Sequence, residues 1–317
     1  MAKRNLLPTI AAAIVLATGL SSATAAPRAE HPAGGAHVVS EERVGARLVD
    51  LTIRSPALGG QTATVRLLIP DSWAQRRHRD RWPVLYLLHG MGDDHTTWTA
   101  NSDVEDLPAL RDVLVVMPDA GEGGYYTNWW NFGAGGPPAW ETFHLDELRT
   151  ILERDYGAGT RRVVAGLSMG GFGAVSYAAR RPGMFRAAAG YSGPVHLLHP
   201  RFLELFDTTD PAALVLWGDP VDQRHIWEAH DPYHLAARLR PVPVYLSSGD
   251  GTPGSLDPPG EPADPIEEFL NDLNHSLADR LRAAGVHVTT HFTTGTHSPP
   301  YWQRELHRSL PMLLAAL

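Results

Sequence analysis

The chain has 317 residues, 43% hydrophobic and 20% charged, enough apolar material for one large α/β domain or two small ones. A formal net charge of -8 argues against a nucleic-acid binder, and 30 Gly with 26 Pro follow no fixed period, which removes collagen-like and low-complexity readings. The absence of cysteine excludes thiol catalysis, disulfides, thiolate zinc sites and iron–sulfur ligation.

Lys3 and Arg4, an apolar run over 10–16 and the small residues Ala23-Thr24-Ala25 read as a secretory leader, 1–25, with the mature chain starting at Ala26. The apolar run is too short to cross a bilayer, which takes about 20 residues. Losing the leader's two positive charges takes the formal net charge from -8 to -10. No later stretch has the length and hydropathy of a membrane helix, so a secreted protein with no integral membrane segment is expected. Residues 26–43, polar with Pro and Gly, read as a flexible lead-in to one domain over 44–317.

Runs over 46–53 and 62–69, joined by Leu58-Gly59-Gly60-Gln61, predict a β-hairpin. The continuous apolar run at 83–89 has the length of a strand buried on both faces. Similar runs recur at 113–117, 162–166, 185–191 and 242–247, with a last strand at 286–292. Helical patterns lie between them at 140–156, 169–180 and 266–284, and a final one spans 301–316. The alternation predicts an α/β fold with a mostly parallel central sheet flanked by helices and an antiparallel edge from the hairpin. Residues 196–240 break the rhythm and read as a cap-like insertion over one end of the sheet.

Gly166-Leu167-Ser168-Met169-Gly170 is a G-x-S-x-G sequence between a predicted strand and a predicted helix. A serine hydroxyl needs a base to take its proton, and a sharp strand-to-helix turn lifts it clear of the sheet. The helix that follows also presents free N–H groups toward developing negative charge. The base belongs in a loop after the last strand, where Gly295-Thr296-His297-Ser298 supplies His297. For the acid that orients it, Asp250 follows the strand at 242–247, while Glu267 and Glu268 open the next helix, and spacing alone leaves the choice open. An oxyanion takes two N–H donors: Met169, after the nucleophile, and Met91, in the loop His89-Gly90-Met91-Gly92-Asp93. The aromatic loop Tyr125-Tyr126-Thr127-Asn128-Trp129-Trp130-Asn131 follows another strand and lines the expected crevice, making Tyr126 and Trp129 candidate substrate contacts. No H-E-x-x-H or similar spacing points to a metal, and neither a metal nor a cofactor is expected.

These stretches together resemble the esterase D group of α/β-hydrolases, and within it the antigen 85 mycolyltransferases. The resemblance rests on Tyr86-Leu87-Leu88-His89-Gly90, Met117-Pro118, Tyr126-Thr127-Asn128-Trp129, Trp140-Glu141-Thr142-Phe143 and Gly166-Leu167-Ser168-Met169-Gly170. It continues through Asp231-Pro232, Gly295-Thr296-His297-Ser298 and Tyr301-Trp302, covering about residues 84–303. It implies Ser168 as nucleophile, His297 as base, Met91 and Met169 as oxyanion donors, Glu267 as acid with Asp250 second, and Trp302 near the substrate. The chain departs from the antigen 85 pattern at His89, where that group has Asp, and at Pro299-Pro300. Residues 196–240 match only around Trp217-Gly218 and Asp231-Pro232. The expectation is a secreted serine esterase or acyltransferase acting on small-molecule or lipid esters, with a sugar or glycerol as acceptor in the transfer case. The rival reading is a non-catalytic secreted binding protein on the same fold.

Overall fold

A computed structural model describes residues 34–77, 79–205 and 214–317. The predicted leader and the first part of the lead-in lie outside the described residues. Among those described, nine strands form one sheet in the order β1-β2-β3-β5-β4-β6-β7-β8-β9. They are β1 His37–Arg43, β2 Leu48–Arg54, β3 Thr62–Leu68, β4 Trp82–Leu88, β5 Leu114–Pro118, β6 Ala158–Leu167, β7 Ala188–Tyr191, β8 Val244–Gly249 and β9 Val288–Thr293. Pairing is antiparallel from β1 through β3 to β5 and parallel from β5 to β9. This is the α/β-hydrolase arrangement, and the hairpin β2–β3 sits where the sequence placed it.

The strand order fixes where a site can form. From β4 the chain moves to β5 on one side, and from β6 to β7 on the other. Where neighbouring strands send their connections apart, a crevice opens at their carboxyl ends. Leu88 pairs with Gly166 across β4 and β6, so the loops at Gly90 and Ser168 leave the sheet side by side.

Alternate side chains on the central strands serve two cores. Tyr86, Leu88 and Val164 join one cluster, while Leu85, Leu87, Val163 and Ala165 join the other. The helices Met169–Arg180 and Pro265–Ala283 cover the first face with Ala174, Val175, Leu277 and Leu281. The helix Pro299–Ala315 covers the second with Leu306, Leu310 and Leu313. Burial on both faces is why these strands read as continuous apolar runs.

Two expectations need correction. Residues His37–Arg43 form strand β1 rather than a flexible lead-in. Only Val38 in it is buried, so backbone pairing with β2 holds the strand instead of an apolar face, and period-two hydropathy could not reveal it. Its charged residues Glu41, Glu42 and Arg43 suit a sheet edge, where they discourage pairing with another chain. The helix expected at 140–156 is interrupted by a π-helical turn, Phe143–Leu148. Within it the fully buried His144 donates from Nε2 to the Asp119 carbonyl at 2.9 Å and accepts from the Tyr177 hydroxyl at 2.8 Å. In 196–240, the helices Pro200–Leu205 and Arg224–His230 contribute Phe202 and Trp227 to a third cluster with Trp217, Phe172 and Phe269.

Burial lowers the imidazoles of His144, His196 and His230 from 6.5 to about 4. As pH falls below 6.5 the unfolded chain takes up these protons first, so the folded state loses stability down to about pH 4, where the effect levels off. Each such histidine contributes a slope of up to about 1.4 kcal/mol per pH unit. Urea unfolding between pH 7 and 4 should show the midpoint falling across this window; a flat midpoint would contradict the assignment.

Candidate active site

Ser168 occupies the turn between β6 and the helix Met169–Arg180 with φ 51° and ψ -122°. A non-glycine residue there is strained by about 1–3 kcal/mol and persists only if its surroundings hold it. Here its N–H donates to the Tyr191 carbonyl at 2.8 Å, and its own carbonyl accepts from Gly171 and Phe172 at 2.8 and 3.2 Å. The flanking glycines are required by close approach. A Cβ on Gly166 would lie 2.2 Å from the Gly170 oxygen, and one on Gly170 would lie 2.4 Å from the Leu88 oxygen. The G-x-S-x-G spacing is thus a packing requirement of two neighbouring strands.

His297 lies in the turn between β9 and the helix Pro299–Ala315, whose first residues are the two prolines. Proline suits that position because its missing N–H would have no helical partner. The His297 Nε2 is 3.0 Å from the Ser168 Oγ, and its Nδ1 is 2.6 Å from Glu267 Oε2. Glu267 stands in the first turn of the helix Pro265–Ala283 and is 1% exposed. Its Oε1 accepts from the Ser192 hydroxyl at 2.7 Å and the Gly249 N–H at 2.6 Å. An ionised carboxylate only accepts, so Nδ1 carries the imidazole proton and Nε2 is left to receive the serine's.

The other two candidate acids are used differently. Asp250 turns into its own loop, where Oδ1 accepts from the Thr252 N–H at 2.8 Å. Glu268 pairs with Arg201 at 3.5 Å.

Met91 and Met169 flank Ser168 at a cavity of about 390 Å³. Ser168 and His297 form its polar end; Tyr125, Pro194, Phe202, Phe269 and Leu270 form apolar walls. Met91 and Ile266 stand at the mouth, 53% and 59% exposed. The Met91 loop is pinned by His89, whose Nε2 accepts from the Ala120 N–H at 2.9 Å and whose Nδ1–H donates to the Gly90 carbonyl at 2.7 Å.

The expected substrate contacts are placed otherwise. Tyr126 is buried, its ring packed against His144 and Tyr177 and its hydroxyl donating to the His89 carbonyl at 3.0 Å; burial pushes this phenol well above its usual range. Tyr125 faces the cavity instead, because both tyrosines take positive φ and the loop turns through them. Trp302 is also buried: its ring meets His297 edge-on at 4.9 Å, and its Nε1–H donates to Ser192 Oγ at 3.3 Å. Trp129 lines a neighbouring groove with Trp140, beside Met91. Sequence reasoning missed Ser192 and Asp264, which bonds the His297 N–H at 2.8 Å. Asp264-Pro265 carried a readable signal, an N-cap residue before a proline. Ser192, at a strand end, carried none.

The model of the family described as Esterase matches residues 55–313. An esterase of Mycobacterium tuberculosis strain H37Rv is 32% identical over 272 residues, covering 80% of this chain and 58% of that protein, so the chain spans little more than half of it. The diacylglycerol acyltransferase/mycolyltransferase Ag85B of Mycobacterium leprae strain TN is 30% identical over 247 residues, covering 73% of this chain and 75% of its own. Among solved structures, a ferulic acid esterase superposes with a TM-score of 0.65 at 25% identity over 85% of this chain and 98% of its own. The fluorophosphonate-binding serine hydrolase F of Staphylococcus aureus, at 19% identity and a TM-score of 0.66 over 84% of this chain and 98% of its own, shares the fold. On this sequence match and this fold, the chain belongs to the esterase family of α/β-hydrolases that resembles esterase D and the antigen 85 acyltransferases.

Proposed function

We propose that this protein is a serine ester hydrolase or acyltransferase that works through an acyl-serine intermediate. The observation that carries the reading is the hydrogen-bonded chain Ser168–His297–Glu267, with contacts of 3.0 and 2.6 Å, at the polar end of an apolar cavity. In the first step His297 Nε2 takes the Ser168 proton as Oγ bonds to the ester carbonyl carbon. The carbonyl electrons move onto oxygen, and the amides of Met91 and Met169 stabilise that oxyanion. On collapse the carbon–oxygen bond to the alcohol breaks, and His297 hands its proton to the departing alkoxide. Water or an acceptor alcohol then repeats the sequence against the acyl-serine, with His297 first removing its proton. Glu267 stays ionised throughout, orienting the ring and stabilising the imidazolium.

The substrate class that suits the site is a small-molecule or lipid ester whose acyl portion fills the apolar cavity. Names among the relatives include both esterase and acyltransferase, and a sugar or glycerol hydroxyl is the acceptor in the transfer case. Residues 44–317 act as the catalytic domain, with 196–240 as a cap that supplies Phe202 to the cavity wall. The leader over 1–25 directs the enzyme out of the cell, and no helix among the described residues is long and apolar enough to cross a membrane.

Ser168→Ala should lower kcat on a p-nitrophenyl ester by about 10⁴- to 10⁶-fold and abolish labelling by a fluorophosphonate. Parental hydrolysis in that variant would refute the mechanism, and no labelling of the parent would favour the non-catalytic binding protein. Glu267→Gln should lower kcat by about 10³- to 10⁴-fold with folding preserved, because an amide no longer enforces the productive imidazole tautomer. Steady-state kinetics and a thermal melt of the same preparation test this; a change under about tenfold would remove Glu267 from the relay.

A further inference from the structure

A strap of residues 250–264 joins β8 to the helix Pro265–Ala283 and passes beside the turn that carries His297. It is rich in Pro, Gly and acidic residues and lacks the apolar spacing that would bury it. Backbone hydrogen bonds tie its ends: the Gly251 N–H donates to the Gly295 carbonyl at 3.0 Å, and the Asp264 N–H to the Gly251 carbonyl at 2.7 Å. The strap grips the histidine turn through two carboxylates. Asp257 accepts from the Thr296 hydroxyl at 2.5 Å and the Tyr301 hydroxyl at 2.6 Å, holding residues on both sides of His297.

Asp264 does more than cap a helix. Its Oδ1 accepts from the N–H groups of Ile266 and Glu267 at 2.9 and 3.1 Å, as an N-cap aspartate does. Its Oδ2 accepts from the His297 N–H at 2.8 Å. One rigid carboxylate thereby joins the backbone of the residue bearing the acid to the backbone of the residue bearing the base. The side chains of the same two residues close the ring at 2.6 Å. Capping uses one oxygen; the second is aimed at His297.

We infer that Asp264 is a positioning residue for the reaction, locking the His297 backbone to the Glu267 backbone so that the imidazole meets Ser168 in reactive register, with Asp257 as a second hold on the same turn. The inference rests on the reading of Ser168, His297 and Glu267 as the catalytic relay. Its physical basis is the steep dependence of rate on alignment, where a 1 Å misplacement costs about 100-fold.

Asp264→Asn separates the two duties. Asparagine caps helices about as well as aspartate, so its carbonyl oxygen keeps the helix N–H groups satisfied. The other position then becomes an NH₂ donor facing the His297 N–H donor, and the clamp opens. The expected result on a p-nitrophenyl ester is a kcat lower by about 10- to 100-fold with KM within about twofold, and fluorophosphonate labelling slowed in proportion. The melting temperature should stay within about 4 °C of the parent, since the cap is retained. Asp264→Ser is the second variant: serine also caps, but its hydroxyl is too short to reach His297 as well, so the same loss is expected should the asparagine variant fold poorly. Adding Asp264→Asn to Glu267→Gln should cost less than about threefold beyond Glu267→Gln alone, because both act through one imidazole.

Parental kcat and labelling in a folded Asp264→Asn or Asp264→Ser variant would overturn the clamp and leave a plain cap. Full additivity with Glu267→Gln would overturn it too. A dead Ser168→Ala beside an unaffected Asp264→Asn removes the clamp alone, whereas an active Ser168→Ala removes the relay on which it rests.

Discussion

A carboxylate taken out of water must be met by donors, and Glu267 shows how far that one requirement organises this molecule. Burying an ionised group without partners costs several kcal/mol. Glu267 meets three donors, each from a different strand end: the Ser192 hydroxyl after β7, the Gly249 N–H at the end of β8, and the His297 imidazole beyond β9. The parallel order β7-β8-β9 brings those ends together at the same edge of the sheet. The carboxylate therefore aligns the imidazole and satisfies backbone and hydroxyl groups of the sheet's own rim. Its removal would unsettle all three.

The side of the site that carries Met91 is built on aromatic and imidazole packing. His89 spans the Ala120 N–H and the Gly90 carbonyl, and Tyr126 reaches up to the His89 carbonyl. Beneath them His144 bridges Tyr177 and Asp119, and its lowered pKa keeps it neutral near pH 7, so it acts as a hydrogen-bonded strut and not as a charge. Two of these histidine contacts end on backbone carbonyls that carry the loops themselves. Loop geometry at Met91 is thus fixed from below, while the methionine side chain stays exposed at the mouth. A carboxylate at position 89 could not donate to the Gly90 carbonyl, so the imidazole itself holds the loop.

Legibility from the sequence followed the strength of the local constraint. The serine turn was readable because steric crowding leaves only glycine at 166 and 170, and the central strands because burial on both faces forces unbroken apolar runs. His297 was readable from its order in the chain. The choice between Glu267 and Asp250 was open to spacing because both sit at the strand-end level; only the path of the strap, which returns Asp250 to its own loop, separates them, and the resemblance had already favoured Glu267. Tyr126 was misplaced because aromatic composition does not say which of two adjacent rings turns inward; Trp302, expected from the resemblance, is buried against the His297 ring instead of lining the cavity. Strand β1 escaped notice because backbone pairing at an edge leaves almost no trace in side-chain pattern. Ser192 acts through a hydroxyl whose partner lies 75 positions away in the chain.

The two halves of the site obey different tolerances. On the side of His297, contacts are directional hydrogen bonds between 2.5 and 3.0 Å, and one displaced atom breaks a chain. On the apolar side of the cavity, Phe202, Phe269 and Leu270 make a wall, and apolar packing accepts volume-conserving exchange at a cost of under about 1.5 kcal/mol. A directional network can be kept only by keeping its residues, whereas an apolar wall can be rebuilt from many. The wall draws on two segments, Phe202 from the helix Pro200–Leu205 and Phe269 with Leu270 from the helix that also carries Glu267, so one helix serves the directional side and the apolar side at once.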